Sequence, residues 1–204
     1  MKIISFLIFS LYTATSSSQE ISQEYLEKSF ERAAKNEGVS VELLRAICWA
    51  ESNHNPSAYV FNDGTRGNHS FGICQVLYTT ALDLGMKKDP NCWKDFRTAR
   101  QINLSGAPVN PGFTDPKRNF KTCRLFGPLT NITYAAKYLK SKLRKYGGSW
   151  INAIAAYNTG SLKTCKSGKV YRAKDRKVLY TCQRGGLLNQ RYVDRVLEFL
   201  AEGR

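Results

Sequence analysis

At 204 residues the chain is long enough for one domain with a substantial core, and its composition, 42% hydrophobic, 12% aromatic and 23% charged, is that of a globular protein. There is no internal repeat and no low-complexity tract, which excludes a solenoid or a disordered chain. The charge is less ordinary: 31 Lys and Arg against 16 Asp and Glu give +15, which points to an anionic partner such as a wall polymer, a membrane face or nucleic acid.

Lys2, the apolar run Ile3 to Tyr12 and the small residues Thr13 to Ser18 read as a secretory signal peptide. Residues 1–18 are then the signal and residues 19–204 the exported domain, secreted or periplasmic. The run is too short for a lasting transmembrane anchor and no Cys follows it for lipid attachment, so no stable membrane anchor is expected. Export also makes nucleic acid an unexpected partner. The six cysteines, Cys48, Cys74, Cys92, Cys123, Cys165 and Cys182, suit an oxidising compartment. None forms a C-x-x-C pair, so neither zinc nor thioredoxin-like chemistry is favoured. Six cysteines allow 15 pairings and the sequence leaves them open; the pairs favoured are Cys165–Cys182, Cys92–Cys123 and Cys48–Cys74.

Tyr25, Leu26, Phe30, Ala33 and Ala34 predict a helix over residues 21–36, closed by Gly38. Ser40 caps a second helix, which Pro56 stops. A turn-rich loop follows from Ser52 to His69, and a further helix is expected within residues 72–84. Residues 87–121 hold four prolines and Cys92, with Cys123 just beyond, and show no periodicity, which reads as a disulfide-pinned insertion. Ile132, Ala135, Ala136, Leu139 and Leu143 line one face of a helix from Thr130 that ends at Gly147. Ser149 caps a helix carrying Trp150, Ile154 and Tyr157. Residues 161–186 form a second, basic insertion: two short strands around Lys174, Asp175 and Arg176. An amphipathic helix over residues 187–200 closes the chain. The two histidines, His54 and His69, read as loop surface, and Asn68, Asn103 and Asn131 head glycosylation sequons.

Glu51 carries the chemistry of the second helix. Leu44, Ile47 and Cys48 precede it by seven, four and three residues, which puts all of them on one helical face. A carboxyl on an apolar face holds its proton more strongly, because burial disfavours the charged form. Glu51 is also the only acid between Leu43 and Asn62, and it stands at a helix end before a polar loop. Those are the requirements of a general acid.

ESNHNPSA, then FGICQV, then AIAAYNTG stand in that order along the chain. Together they resemble the lytic transglycosylase and goose-type lysozyme superfamily, over residues 39–158 and the closing helix. The resemblance implies a mainly α, lysozyme-like (α+β) single domain with a small β-hairpin insertion. It implies cleavage of the β-1,4 bond between N-acetylmuramic acid and N-acetylglucosamine in peptidoglycan, with Glu51 as acid and then base. Attack by the muramic acid's own C6 hydroxyl gives 1,6-anhydro ends and needs no second carboxylate; a goose-type hydrolase activates water instead. Asp63, the only other acid between Leu43 and Leu82, reads as a turn former that could serve such a hydrolase. Ser70, Gln75, Tyr157, Asn158 and Tyr192 are the substrate contacts that the resemblance implies. The chain departs from the family at Leu188-Asn189, where Glu-Thr is usual. No cofactor or metal is expected, and no H-E-x-x-H, P-loop or G-x-S-x-G appears. The expected partners are glycan strands, with an anionic wall polymer or a protein meeting the basic 163–184 segment of a monomer. A silent wall-binding protein and a nucleic-acid binder are the alternatives from other classes.

Overall fold

Helix α1 (Gln23–Glu37) starts where the Ser22 side chain accepts the Tyr25 N–H and ends at Gly38, whose φ of 67° suits a residue without Cβ. These ends, and those below, come from a computed structural model that describes residues 21–60, 69–89, 92, 123–171 and 177–203. The expected signal peptide, Asp63, Asn68, Asn103 and most of the 87–121 insertion lie outside the described residues.

Helix α2 (Val41–Ser52) is capped by Ser40, which accepts the Leu43 N–H at 3.0 Å. Pro56 is not what stops it. Asn53 and His54 already adopt left-handed backbone at φ 53° and 58°, which turns the chain two residues before Asn55, the residue that Pro56 restricts. The loop then returns as three two-residue strands, β1 (Tyr59–Val60), β2 (Ser70–Phe71) and β3 (Val76–Leu77), antiparallel in the order β1-β2-β3. Phe71 sits opposite both Tyr59 and Val76, so the sheet is pinned in register by buried side chains. Two-residue strands carry no alternation, which is why this sheet is absent from the sequence reading. The helix expected within 72–84 is shorter, α3 (Tyr78–Asp83).

A single 3-10 turn (Arg124–Phe126) leads to α4 (Pro128–Lys145), with Pro128 in the first turn where a missing N–H costs nothing. Helix α5 (Trp150–Thr159), the hairpin β4 (Lys169–Tyr171) and β5 (Val178–Thr181), and α6 (Gln190–Ala201) complete the described chain. The last helix begins three residues later than expected, because Leu187 is held in a bridge to Thr164. Mainly helical with small antiparallel strands, the fold has the expected class. Among the described residues no helix is long and apolar enough to cross a membrane.

Helix α4 packs against α1 and α5, and α2 packs against α6 and α1. Phe30, Leu43, Leu44, Ile47, Ile132, Leu139, Ile154, Val193 and Val196 are all fully buried between them. Each contributes on the order of 1.5–3 kcal/mol of transfer free energy. Trp150, at the start of α5, is 43% exposed. Both histidines depart from the surface reading too. The His54 ring lies 5.0 Å from those of Phe30 and Trp49, and its Nε2 is 3.0 Å from the Arg45 carbonyl. His69 is buried, which pushes its pKa down to about 4 and keeps it neutral.

Three disulfides, Cys48–Cys74, Cys92–Cys123 and Cys165–Cys182, join the pairs favoured from the sequence. The second closes the base of the 87–121 insertion. Beside it the Arg124 N–H donates to Asp89 Oδ2 at 2.9 Å, and the Asp89 N–H donates to Tyr78 Oη at 2.9 Å.

Candidate active site

Glu51 sits in the last turn of α2, half-buried, with Leu44, Ile47 and Cys48 fully buried on its side of the helix. The backbone is fastened on both sides of it. Ser52 Oγ donates to the Ile73 carbonyl at 2.6 Å, and Arg195 Nη2 donates to the Ala50 carbonyl at 2.8 Å. The carboxyl itself is held by a charge-assisted bond: Tyr192 Oη on α6 donates to Glu51 Oε1 at 2.6 Å. Burial, then the charge of Glu51 and this bond, push the Tyr192 hydroxyl well above its ordinary pKa, with Arg195 opposing. Tyr192 therefore stays a donor at any working pH.

A cavity of about 230 Å³ opens beside Glu51. Gln75 and Thr80 supply polar groups, Val60, Val76 and Leu77 apolar ones, and Tyr138, Tyr157 and Asn158 the far wall. Its volume falls below the roughly 300–1,000 Å³ of ligand pockets, which suits one subsite of a longer groove. Glu51 is the only carboxyl among these lining residues.

The turn between β2 and β3 presents Gln75, and one buried asparagine shapes that turn. Asn131 Nδ2 donates to the Phe71 and Leu125 carbonyls at 2.7 and 2.8 Å, while its Oδ1 accepts the Cys74 N–H at 2.8 Å. Gly72 lies against it at φ 69°, where an added Cβ would stand 2.7 Å from Asn131 Nδ2 and from the Leu125 carbonyl. Gln75 is itself left-handed at φ 48°, and its Nε2 donates back to the Gly72 carbonyl at 2.9 Å. Its Oε1 is buried with no hydrogen-bond partner among the described residues. Asn131 read as a sequon from the sequence; fully buried and committed to three bonds, it cannot carry a glycan.

Tyr157 is 7% exposed and its Oη donates to the Cys74 carbonyl at 3.1 Å. Burial first, then Glu51, raises its pKa well above the ordinary tyrosine value. Tyr138 stacks on it edge-on with centroids 5.1 Å apart, and burial lifts its hydroxyl to about 12. Asn158 is exposed at the cavity and its Oδ1 accepts Asn189 Nδ2 at 3.1 Å; the same nitrogen donates to the Ala155 carbonyl at 3.0 Å.

Of the residues singled out in the sequence, Glu51, Gln75, Tyr157 and Asn158 meet at the cavity. Tyr192 stands behind Glu51, bonded to it, and is not among the cavity's lining residues. Ser70 is fully buried in β2 opposite Leu77 and is not in the lining either. Thr80, Tyr138, Asn131 and Asn189 were missed. Tyr138 sits one turn beyond Tyr134 on the polar-looking side of α4, and only the closing of α5 over it turns that position into a wall.

The family model described as the transglycosylase SLT domain matches residues 28–107 and 98–180. Among solved structures, the chain is similar to the lytic transglycosylase Slt of Pseudomonas aeruginosa, determined as an inactive mutant. Identity is 19% and the TM-score 0.46, covering 86% of this chain and 23% of that one. It is also similar to the 70-kDa soluble lytic transglycosylase in complex with bulgecin A, at 21% identity and a TM-score of 0.39, covering 66% of this chain and 18% of that one. The chain thus spans less than a quarter of the length of either protein.

Proposed function

We propose that this chain, which belongs to the transglycosylase SLT domain family, cleaves the β-1,4 bond between N-acetylmuramic acid and N-acetylglucosamine in peptidoglycan, with Glu51 as its one acid–base group. The observation that carries this reading is a carboxyl at a cavity, the only one there among the described residues, gripped from behind by a tyrosine at 2.6 Å.

Glu51 gives its proton to the bridging oxygen, and the electron pair of the C1–O bond leaves with that oxygen. Positive charge develops on the muramic acid ring. The C6 hydroxyl of the same sugar attacks C1, and its proton passes to the Glu51 carboxylate, which restores the acid. No water is consumed and the new end is a 1,6-anhydro sugar. Tyr192 steadies the carboxylate between the two proton transfers, because a donated hydrogen bond favours the charged form. The unsatisfied Gln75 Oε1 suits a sugar hydroxyl or N-acetyl N–H, since buried polar atoms are rarely left unpaired. Mass spectrometry of peptidoglycan digested by the full chain tests the chemistry. Anhydro-muramic ends are expected; reducing ends would replace this mechanism with attack by water.

The β4–β5 hairpin carries a concentrated share of the basic surplus. It is stapled at its base by Cys165–Cys182, and Lys163, Lys166, Lys169, Lys177 and Arg184 are all exposed on or beside it. Acidic groups of wall polymer, the stem-peptide carboxylates included, are the partner that this charge fits. Replacing Lys163, Lys166 and Lys169 with Glu should weaken cosedimentation with sacculi by about tenfold at low salt. Unchanged cosedimentation would leave these lysines as no more than a solvated face.

A further inference from the structure

We propose that Arg195 is a positioning residue for Glu51: bound at once to the end of α2 and to the face of Tyr192, it sets the register in which the tyrosine meets the carboxyl. This rests on the reading of Glu51 as the acid–base group.

The geometry has two parts. Tyr192 and Arg195 are three residues apart on α6 and so share a face. Arg195 Cζ lies 5.7 Å from the centroid of the Tyr192 ring, within reach of a cation–π contact that restricts the ring. Its Nη2 donates to the Ala50 carbonyl at 2.8 Å, in the last turn of α2. The final carbonyls of a helix lack intrahelical donors and carry partial negative charge, so a guanidinium there is favoured twice over. Asn53 and His54 turn away in left-handed backbone directly after this turn, which leaves the Ala50 carbonyl open to a side chain from α6.

One guanidinium thus holds the residue before Glu51 and the ring whose hydroxyl holds Glu51 Oε1. A shift of α6 along α2 would break both contacts together. Among the described residues, the other titratable groups that face Glu51 are Tyr192 on α6 and Tyr157 on α5, with Tyr138 on α4 stacked behind Tyr157. Among the described residues Arg195 is the cation of this set, and it belongs to neither the cavity lining nor a salt bridge that would occupy it elsewhere. Helix α6 has an apolar stripe through Val193 and Val196, which fixes it against α2 without specifying the last ångström. Polar contacts with fixed directions specify that remainder.

The test is a double-mutant cycle on the full chain, with kcat and KM measured on solubilised glycan strands across pH. Arg195→Ala should lower kcat about tenfold with KM within about twofold, because a small misplacement of a catalytic group costs rate more than binding. In a Tyr192→Phe background the same substitution should cost less than about twofold, since the contact it supports is already gone. Loss of the cation also favours the protonated carboxyl, so the alkaline fall of the rate should move to higher pH. Additive costs, or an alkaline limb that stays in place, would overturn the proposal. If Arg195→Ala does not fold, Arg195→Gln carries the test: it keeps an N–H donor without the charge, and a wild-type kcat with an unmoved limb would overturn the proposal equally. Glu51→Gln is the control, for if that variant retains activity the acid–base reading itself has failed, whatever Arg195 does.

Discussion

Glu51→Gln should abolish lysis of purified sacculi while leaving the fold intact. The substitution keeps the shape of the side chain and an oxygen that can still accept from Tyr192 Oη, so the thermal midpoint should stay within a few degrees of the parent. What disappears is the proton. An amide cannot protonate a glycosidic oxygen, nor take a proton back from a sugar hydroxyl. General acid–base catalysis contributes on the order of 10²–10⁴ in rate, and in the proposed mechanism one group serves both transfers. The expected loss is therefore at least about a thousandfold, read as turbidity of sacculi against time. No other carboxyl lines the cavity among the described residues. Lysis at the parent rate would mean that another group supplies the proton, and absence of lysis by the parent chain itself would make it a wall-binding protein with a lysozyme-like fold.

Asn131→Leu should cost stability on the scale of the whole fold. Asn131 is fully buried, and it spends both amide protons and its oxygen on the Phe71 carbonyl, the Leu125 carbonyl and the Cys74 N–H. Leucine is close in size and apolar, so it leaves little cavity but strands three backbone groups away from water. Each stranded group costs about 1–3 kcal/mol, which sums to roughly 3–9 kcal/mol against the usual 5–15 kcal/mol of a domain. A fall in the thermal midpoint by more than about 10 °C is expected. Any folded fraction should also lyse sacculi poorly, because the turn that carries Gln75 hangs from the same amide. Gly72→Ala attacks that turn from the other side, forcing a Cβ to within 2.7 Å of a backbone carbonyl at a positive φ, and should fail in the same way. A midpoint unchanged in both variants would show that the turn holds itself.

The helices were legible because their causes are local. Ser22, Ser40 and Ser149 each accept an N–H from the first turn of the helix that follows. The apolar stripe before Glu51 is a matter of counting residues, and so is that of α6. The three-stranded sheet was not legible, since its strands are two residues long and are held by packing of Phe71 rather than by pattern. His54 read as surface because nothing local tells that Phe30 and Trp49, from two different helices, will enclose it. In the site, the residues of the three motifs were found and the ones that hold those motifs together were not. Asn189 stands where Glu-Thr is usual, and its amide fastens the Ala155 carbonyl and Asn158 across the α5–α6 junction. Asn131, Asn189 and Arg195 all act across long stretches of sequence on backbone carbonyls, for which no spacing rule exists.

The Cys48–Cys74 bridge reaches beyond the native state. It closes a ring between positions 26 apart, with Glu51 inside the ring near one end and Gln75 just outside the other. A covalent ring of that size removes roughly 3.5 kcal/mol of entropy from the denatured chain. Even fully denatured, an oxidised molecule keeps its acid and its turn as close neighbours, so refolding needs no search to reunite them. What is left to find is the seating of α1, α4, α5 and α6 around a ring that never opened.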